Sequence, residues 1–211
     1  MSDTQNSSSH GKLIAAVIAA ALVVVLALVS AFVWPGWALN KEGQSTQAGQ
    51  QASSSGAGTG AEAEPTKPSI DAVALPDGAS ELLKAMPDSV LNFARTKADS
   101  STTWSGTSPT EEYALTYSTG KSGHDISLEV AQWADSNDAK SQYDTLAEAM
   151  TGKELGSGNV KVSSKTTGAY SAKTDPNDEN KAIAAWQNDT VVFYATGAKS
   201  DVQRFYQRFP L

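Results

Sequence analysis

Residues 13–33 constrain this chain more than any other feature. They read LIAAVIAAALVVVLALVSAFV, 21 residues with no charge, glycine or proline, and with Ser30 as the one polar side chain. At 1.5 Å per residue they make roughly 31 Å of helix, about the thickness of a hydrocarbon core. A helix apolar on every side has no stripe to turn toward water, so the lipid bilayer is its expected partner. Trp34 and Trp37 follow, separated by Pro35 and Gly36. Tryptophan prefers the headgroup level, and a Pro-Gly pair ends a helix.

A cleaved signal peptide is the competing reading, because Val29-Ser30-Ala31 offers small residues to a signal peptidase. The apolar run exceeds the usual length of such a leader, the polar tail before it (residues 1–12) carries a single lysine, and the tryptophan pair suits an anchor. Retention as a single-pass transmembrane helix is therefore expected. Lipoprotein anchoring is excluded, since the chain has no cysteine. Lys12 abuts the span, whereas Lys41 lies further from its other end. The positive-inside rule then puts the N-terminus in the cytoplasm and the rest outside. Ala15, Ala16, Ala19 and Ala20 give small residues at helix-dimer spacing, which without glycine is the ordinary composition of such a helix.

Residues 34–69 read as a flexible linker. From Asn40 onward it consists largely of Gly, Ser, Gln, Ala and Thr, and Pro65 and Pro68 stiffen its end. Such composition cannot bury enough apolar surface to offset ordering entropy. Thirty residues of this kind span roughly 30 Å, enough to hold a domain clear of a membrane. The polar tail, the Ala/Val/Leu anchor at 13–33, the Gly/Ser/Gln/Ala tether and a cysteine-free domain together resemble the single-pass, membrane-anchored cell-envelope proteins of high-GC Gram-positive bacteria. The resemblance implies a location, the cell membrane with an extracytoplasmic domain, and no activity.

Residues 70–211 are expected to form one α+β domain. Residues 78–86 read as a short helix stopped by Pro87. Residues 90–96, 111–119 and 125–133 alternate apolar and polar positions, as half-buried strands do. In residues 138–150, Ala139, Tyr143, Leu146, Ala147 and Met150 form one helical stripe, with Ser136 or Asn137 as cap and Gly152 as stop. Strands return around Val160 and Val162 and around Tyr170 and Ala172. Two more, 181–187 and 190–196, flank an Asn188-Asp189 turn. Val191-Val192-Phe193-Tyr194 is apolar throughout and predicts a central strand covered on both faces. A last helix spans about 201–209, with Ser200 and Gln203 at capping-box spacing and Val202, Phe205, Tyr206 and Phe209 as its buried stripe. Short connections predict a mainly antiparallel sheet, packed by two longer helices and one short one. The strand–helix order also resembles the α/β/α sandwich of photosystem-P-type and lipoprotein sensor-like domains.

No motif for chemistry survives inspection. A formal net charge of -7 argues against nucleic acid as a partner. Two histidines and no cysteine leave no multi-histidine or thiolate metal site and no cofactor motif. Gly120-Lys121-Ser122 resembles the end of a phosphate loop, but Leu115 stands where that loop needs glycine and a strand follows instead of a helix. Ser118 and Lys121 fit Ser-x-x-Lys, yet the serine ends a strand and the companion motifs are missing. His124, near Ser122 and Asp125, is the domain's one histidine; catalysis would need an orienting acid and an oxyanion hole. The 175–180 segment, Asp-Pro-Asn-Asp-Glu-Asn, lacks calcium-loop spacing and reads as a solvated turn. Trp133 and Trp186 are expected in the core, and Trp104 is the better candidate for an exposed contact, with burial still favoured.

No catalytic, cofactor-binding or metal residue is therefore assigned, and the ligand-binding residues stay open. The favoured reading is a membrane-tethered extracytoplasmic binding or interaction module with a cell-wall or envelope protein partner. It predicts an exposed apolar or aromatic patch. The alternative is a small cell-envelope hydrolase using carboxylates, such as Glu111 and Glu112 or the Asp175 loop. It predicts two acids converging in a pocket. Adjacent residues on a strand face opposite sides, which weakens Glu111 with Glu112.

Overall fold

The computed structural model describes residues 64–210. The apolar span at 13–33 and nearly all of the linker lie outside the described residues. Among the described residues no helix is long and apolar enough to cross a membrane.

One antiparallel sheet of eight strands organises the domain, with the order β1-β2-β3-β4-β8-β7-β6-β5. Helix α1 (Glu81–Ala85) precedes strands β1 (Ser89–Val90), β2 (Phe93–Ser100), β3 (Glu111–Ser118) and β4 (Ile126–Gln132). Helix α2 (Ser136–Ala149) follows, then β5 (Glu154–Val162), β6 (Lys165–Asp175), β7 (Asp178–Asn188) and β8 (Val191–Ala198). Helix α3 (Lys199–Tyr206) ends the order. The α+β class, the antiparallel sheet and the two longer helices with one short one agree with the sequence reading.

Strand alternation divides the apolar residues between two faces. Leu115 and Tyr117 of β3, Ile126, Leu128 and Val130 of β4, Trp186 of β7 and Phe193 of β8 pack with α1 and α3. Ala131, Ile183, Ala185 and Val192 point the other way and pack with α2, Trp104 and Trp133. β8 therefore contributes to both cores, as its continuous apolar run predicts. The first core is an aromatic cluster. Trp186 stacks on Phe193 with centroids 5.0 Å apart and an 8° tilt, and Phe209 sits 5.3 Å from Trp186. Tyr117 lies 5.0 Å from Phe205. Burial pushes the Tyr117 hydroxyl up from its ordinary value, and it donates to Pro87 O at 2.8 Å.

Several boundaries move, each for a local reason. α1 starts at Glu81 because the Ser80 hydroxyl accepts from Leu83 N at 3.1 Å. Residues 90–96 are not one strand. Leu91 has φ 52° and opens a two-residue turn between paired Val90 and Phe93. A bulge between Arg95 and Lys97 then breaks the alternation that would have revealed the rest of β2. α2 is capped by Asp135, whose carboxylate accepts from Asn137 N at 2.9 Å and Asp138 N at 3.1 Å, not by Ser136 or Asn137. Gly152 does not stop that helix, which ends at Ala149 with Met150 as its cap; it lets the backbone approach Thr174, whose backbone oxygen would lie 1.7 Å from a Cβ there. The Ser200–Gln203 capping box does not form, since α3 begins at Lys199 with Ala198 at the cap position. Asp189 and Thr190, not Asn188 and Asp189, make the β7–β8 turn, because Asn188 pairs with Val191.

Residues 64–77 run along the domain. Val73 N donates to Arg95 O at 2.8 Å, Ser69 Oγ to Thr119 O at 3.2 Å, and Arg204 Nη2 to Pro65 O at 2.8 Å.

Candidate functional site

Helix α2 packs mainly on β7 and β8, with Lys173 of β6 donating to Met150 O at its C-terminal end. Among the described residues no helix packs over the part of the same face built by β2, β3, β4 and the second half of β8. Its floor consists of Ala114, Thr116, Ser127, Glu129, Tyr194 and Thr196, all half-buried or exposed. They share a face by register, since Glu129 pairs with Ala114 on one side and with Tyr194 on the other. Exposed Lys97 and Asp99 of β2 close its outer margin.

The loop between β2 and β3 bounds this half-face at one end. Trp104 is buried there, 6.0 Å from the Trp133 ring. Trp133 in turn donates Nε1–H to Thr107 O at 3.0 Å, which fastens the loop to the sheet. Glu112 anchors the same loop from below. Its Oε1 accepts from Trp104 N at 2.8 Å and from the Ser101 hydroxyl at 3.2 Å. Trp104 is therefore buried against Trp133, and not an exposed contact.

Glu112 and Glu129 stand on neighbouring strands of this face, offset by two positions in the ladder. Such diagonal neighbours are within reach of each other's charge. Burial raises the Glu129 carboxyl above its ordinary value; the Ser101 hydroxyl opposes the shift and the Glu112 charge adds to it. Oε2 of each acid is buried without a hydrogen-bond partner among the described residues. The arrangement can hold a proton on Glu129 more tightly than water would. Sequence reasoning missed this pair, because the two lie 17 positions apart, on opposite sides of a hairpin. The available signal was the β3–β4 alternation, which puts even-numbered residues of β3 and odd-numbered residues of β4 on one face.

The acids singled out in the sequence do not converge. Glu111 faces the α1 side, where its Oε2 accepts from the Tyr113 hydroxyl at 3.1 Å, and Glu112 faces the opposite side. Asp175 and Asp178 bind their own turn, accepting from Asn177 N at 2.7 Å and Asn180 N at 3.0 Å. Among the described residues no three His, Cys, Asp or Glu side chains gather as metal ligands do.

His124 receives its acid from neither Asp125 nor the surrounding turn. Asp201, in the first turn of α3, places Oδ2 2.8 Å from His124 Nδ1. Asp201 is buried, and Arg204 stands 4.0 Å from its other oxygen. Arg204 also pairs with Glu64, donates to Asn92 Oδ1 at 2.9 Å and lies over the Phe93 ring. The chain Glu64–Arg204–Asp201–His124 thus ties the end of the linker to α3 and to the β3–β4 turn. No serine or threonine hydroxyl is hydrogen-bonded to His124 among the described residues, so the pair lacks a nucleophile. Gly120, with φ 80°, and Lys121 belong to that turn rather than to a phosphate loop.

The exposed apolar patch expected of a binding module is not seen. Among the described residues Val73, 52% accessible, is the one large apolar side chain classed as exposed. The two helix-covered faces and the Trp104 loop take up the remainder, and the open half-face is polar.

No family model and no curated protein matches the chain. Among solved structures it is similar to a GTP binding regulator from Thermotoga maritima, at 10% identity and a TM-score of 0.37 over 56% of this chain and 75% of that one. It is also similar to the extracellular domain of PknH from Mycobacterium tuberculosis, at 17% identity and a TM-score of 0.31 over 49% of this chain and 64% of that one.

Proposed function

We propose that the chain is a membrane-tethered, extracytoplasmic binding module. In this reading residues 13–33 hold it in the bilayer, the linker gives it reach, and the open half of the α2 face receives a cell-wall or envelope protein partner. The observation that carries the proposal is the asymmetry of that face. α2 packs on β7 and the first half of β8, while β3, β4 and the second half of β8 leave Thr116, Ser127, Glu129 and Thr196 open beside Tyr194. Small hydroxyl side chains on a rigid antiparallel floor offer hydrogen bonds without a deep cavity, as a surface that docks an extended polar partner requires.

The Glu112–Glu129 pair favours carboxylate hydrolysis as a second reading. Against it, Glu112 is committed to the Trp104 loop, and two acids must both reach a substrate for glycosidic chemistry.

Co-sedimentation of the detergent-solubilised chain with purified cell-wall sacculi, membranes removed, tests the proposal. The chain is expected to pellet with the sacculi. A variant carrying Thr116→Lys, Ser127→Lys and Thr196→Lys is expected to lose that binding while keeping its fold. Equal pelleting of both forms, or of neither, would overturn the assignment of this face. Wall hydrolysis abolished by Glu129→Gln would establish the second reading instead.

A further inference from the structure

Among the described residues β5 ends the sheet and pairs on one side only, with β6. It is nine residues long, whereas the opposite edge, β1, has two. Its outward N–H and C=O groups have no hydrogen-bond partner among the described residues. Such an edge is a template for another strand unless something guards it.

The side chains of β5 are arranged so that the strand complements itself. Cross-strand partners share a face. Gly158, opposite Tyr170, and Val160, opposite Gly168, therefore lie on the α1/α3 side with Gly156. Ser157 and Asn159 lie on the α2 side, and Lys161 alternates to that side after Val160, because the register shift between Val160 and Lys161 takes its extra residue, Thr167, from β6 and not from β5. A bulge intervenes between Glu154 and Gly156, with Leu155 as its extra residue, and Glu154 pairs with Lys173 on the α2 side.

A second copy can be laid antiparallel along this edge with a twofold axis through Gly158, normal to the sheet. Gly158 then meets Gly158, Ser157 meets Asn159, and Gly156 meets Val160. The bulge skips Leu155 and brings Glu154 opposite Lys161. Both side chains are exposed and on the same face, and symmetry makes the pair twice. Without the bulge, Lys161 would face Leu155.

We propose that β5 is a self-recognition edge through which two copies of this chain join into one continuous antiparallel sheet, eight strands from each. The glycines give β5 no side chain of its own on the α1/α3 side at the centre of the seam, and rings from β6 and α3 occupy that space. The Tyr170 ring lies over Gly158, where a Cβ would come within 2.9 Å of it, and Tyr206 sits beside Gly156 with a 5.9 Å centroid distance to Tyr170. An axis normal to the sheet also turns the same face of both copies to the same side. Arg204 holds Glu64 and Pro65 on the α3 side, so both tethers leave from that side, as anchors in one membrane require.

Sedimentation equilibrium of the full chain in detergent tests the proposal. A dimer is expected. Glu154→Lys and Lys161→Glu each replace two opposite-charge contacts with like-charge ones and should weaken dimerisation about tenfold or more. The double variant E154K/K161E should restore it. Because the chain has no cysteine, disulfide trapping gives a second readout. Directly opposed residues in an antiparallel pair lie within disulfide range. An equimolar mixture of Glu154→Cys and Lys161→Cys chains should cross-link under mild oxidation, and neither chain alone should. A monomer at all concentrations, a dimer indifferent to the charge swaps, or equal cross-linking of the single variants would overturn the proposal.

Discussion

Arg95 sits inside the domain with 1% of its surface exposed, and its removal has a calculable cost. Its guanidinium donates to Met86 O at 3.1 Å, Pro87 O at 3.0 Å, Val73 O at 3.2 Å and Asp88 Oδ1 at 2.7 Å. Arg95→Met keeps most of the apolar stem and deletes the donors. Pro87 O retains the Tyr117 hydroxyl, and Val73 O lies near enough to the surface for water to replace the guanidinium. Met86 O is left buried and unsatisfied, which costs about 1–3 kcal/mol. Loss of the Asp88 pair adds little, because that carboxylate is 81% exposed and regains water. Relief of the buried, unpartnered Arg95 Nε offsets part of the total. The net expectation is a loss of about 2 kcal/mol, or about 4–8 °C in Tm for a domain of this size. Denaturant unfolding monitored by tryptophan fluorescence measures it, with Asp88→Ala as the control expected to lose less than about 1 kcal/mol. A loss for Arg95→Met below about 0.5 kcal/mol, or one smaller than the control's, would refute this reasoning.

Trp186→Ala removes a ring packed between Phe193 and Phe209 and should cost about 3–5 kcal/mol in the same assay; a cost under about 1 kcal/mol would mean the aromatic cluster is not close-packed. Gly152→Ala sets a methyl against the Thr174 carbonyl and should destabilise by about 1–3 kcal/mol, where an open site would tolerate it. Glu129 binds its proton more tightly folded than unfolded. Its contribution is therefore fully present below the ordinary value of 4.5 and is lost as pH rises through the higher folded value. The stability difference between wild type and Glu129→Gln, measured by urea titration at several pH values, should shift against the wild type as pH rises above 4.5 and then level off; a shift in its favour would contradict the assignment.

The strands with regular alternation were readable from sequence because each has a core on at least one face. β4 shows it best, with Ile126, Leu128 and Val130 buried on one side and exposed Ser127 and half-buried Glu129 on the other. The start of β5 was not readable, since Gly156, Ser157 and Gly158 carry no apolar alternation; their strand exists through pairing with β6 and the cover of Tyr170. β2 was cut short for a different reason. Its bulge turns Arg95 inward and Lys97 to the other face, so a buried arginine interrupts the pattern. The candidate site was the least legible part. Glu112 and Glu129 meet through strand register, and Asp201 reaches His124 across 77 positions. No local spacing encodes either meeting. The opposed faces of Glu111 and Glu112, by contrast, follow from strand geometry alone.

The most direct measurement of the proposed arrangement is protease treatment of intact cells expressing the full chain, with an antibody to the folded domain as readout. Release of a protease-resistant fragment beginning near residue 64 is the expected result, the linker being cut outside the membrane. A domain that stays cell-associated and full-length until the cells are lysed, while a known surface protein is digested, would contradict it.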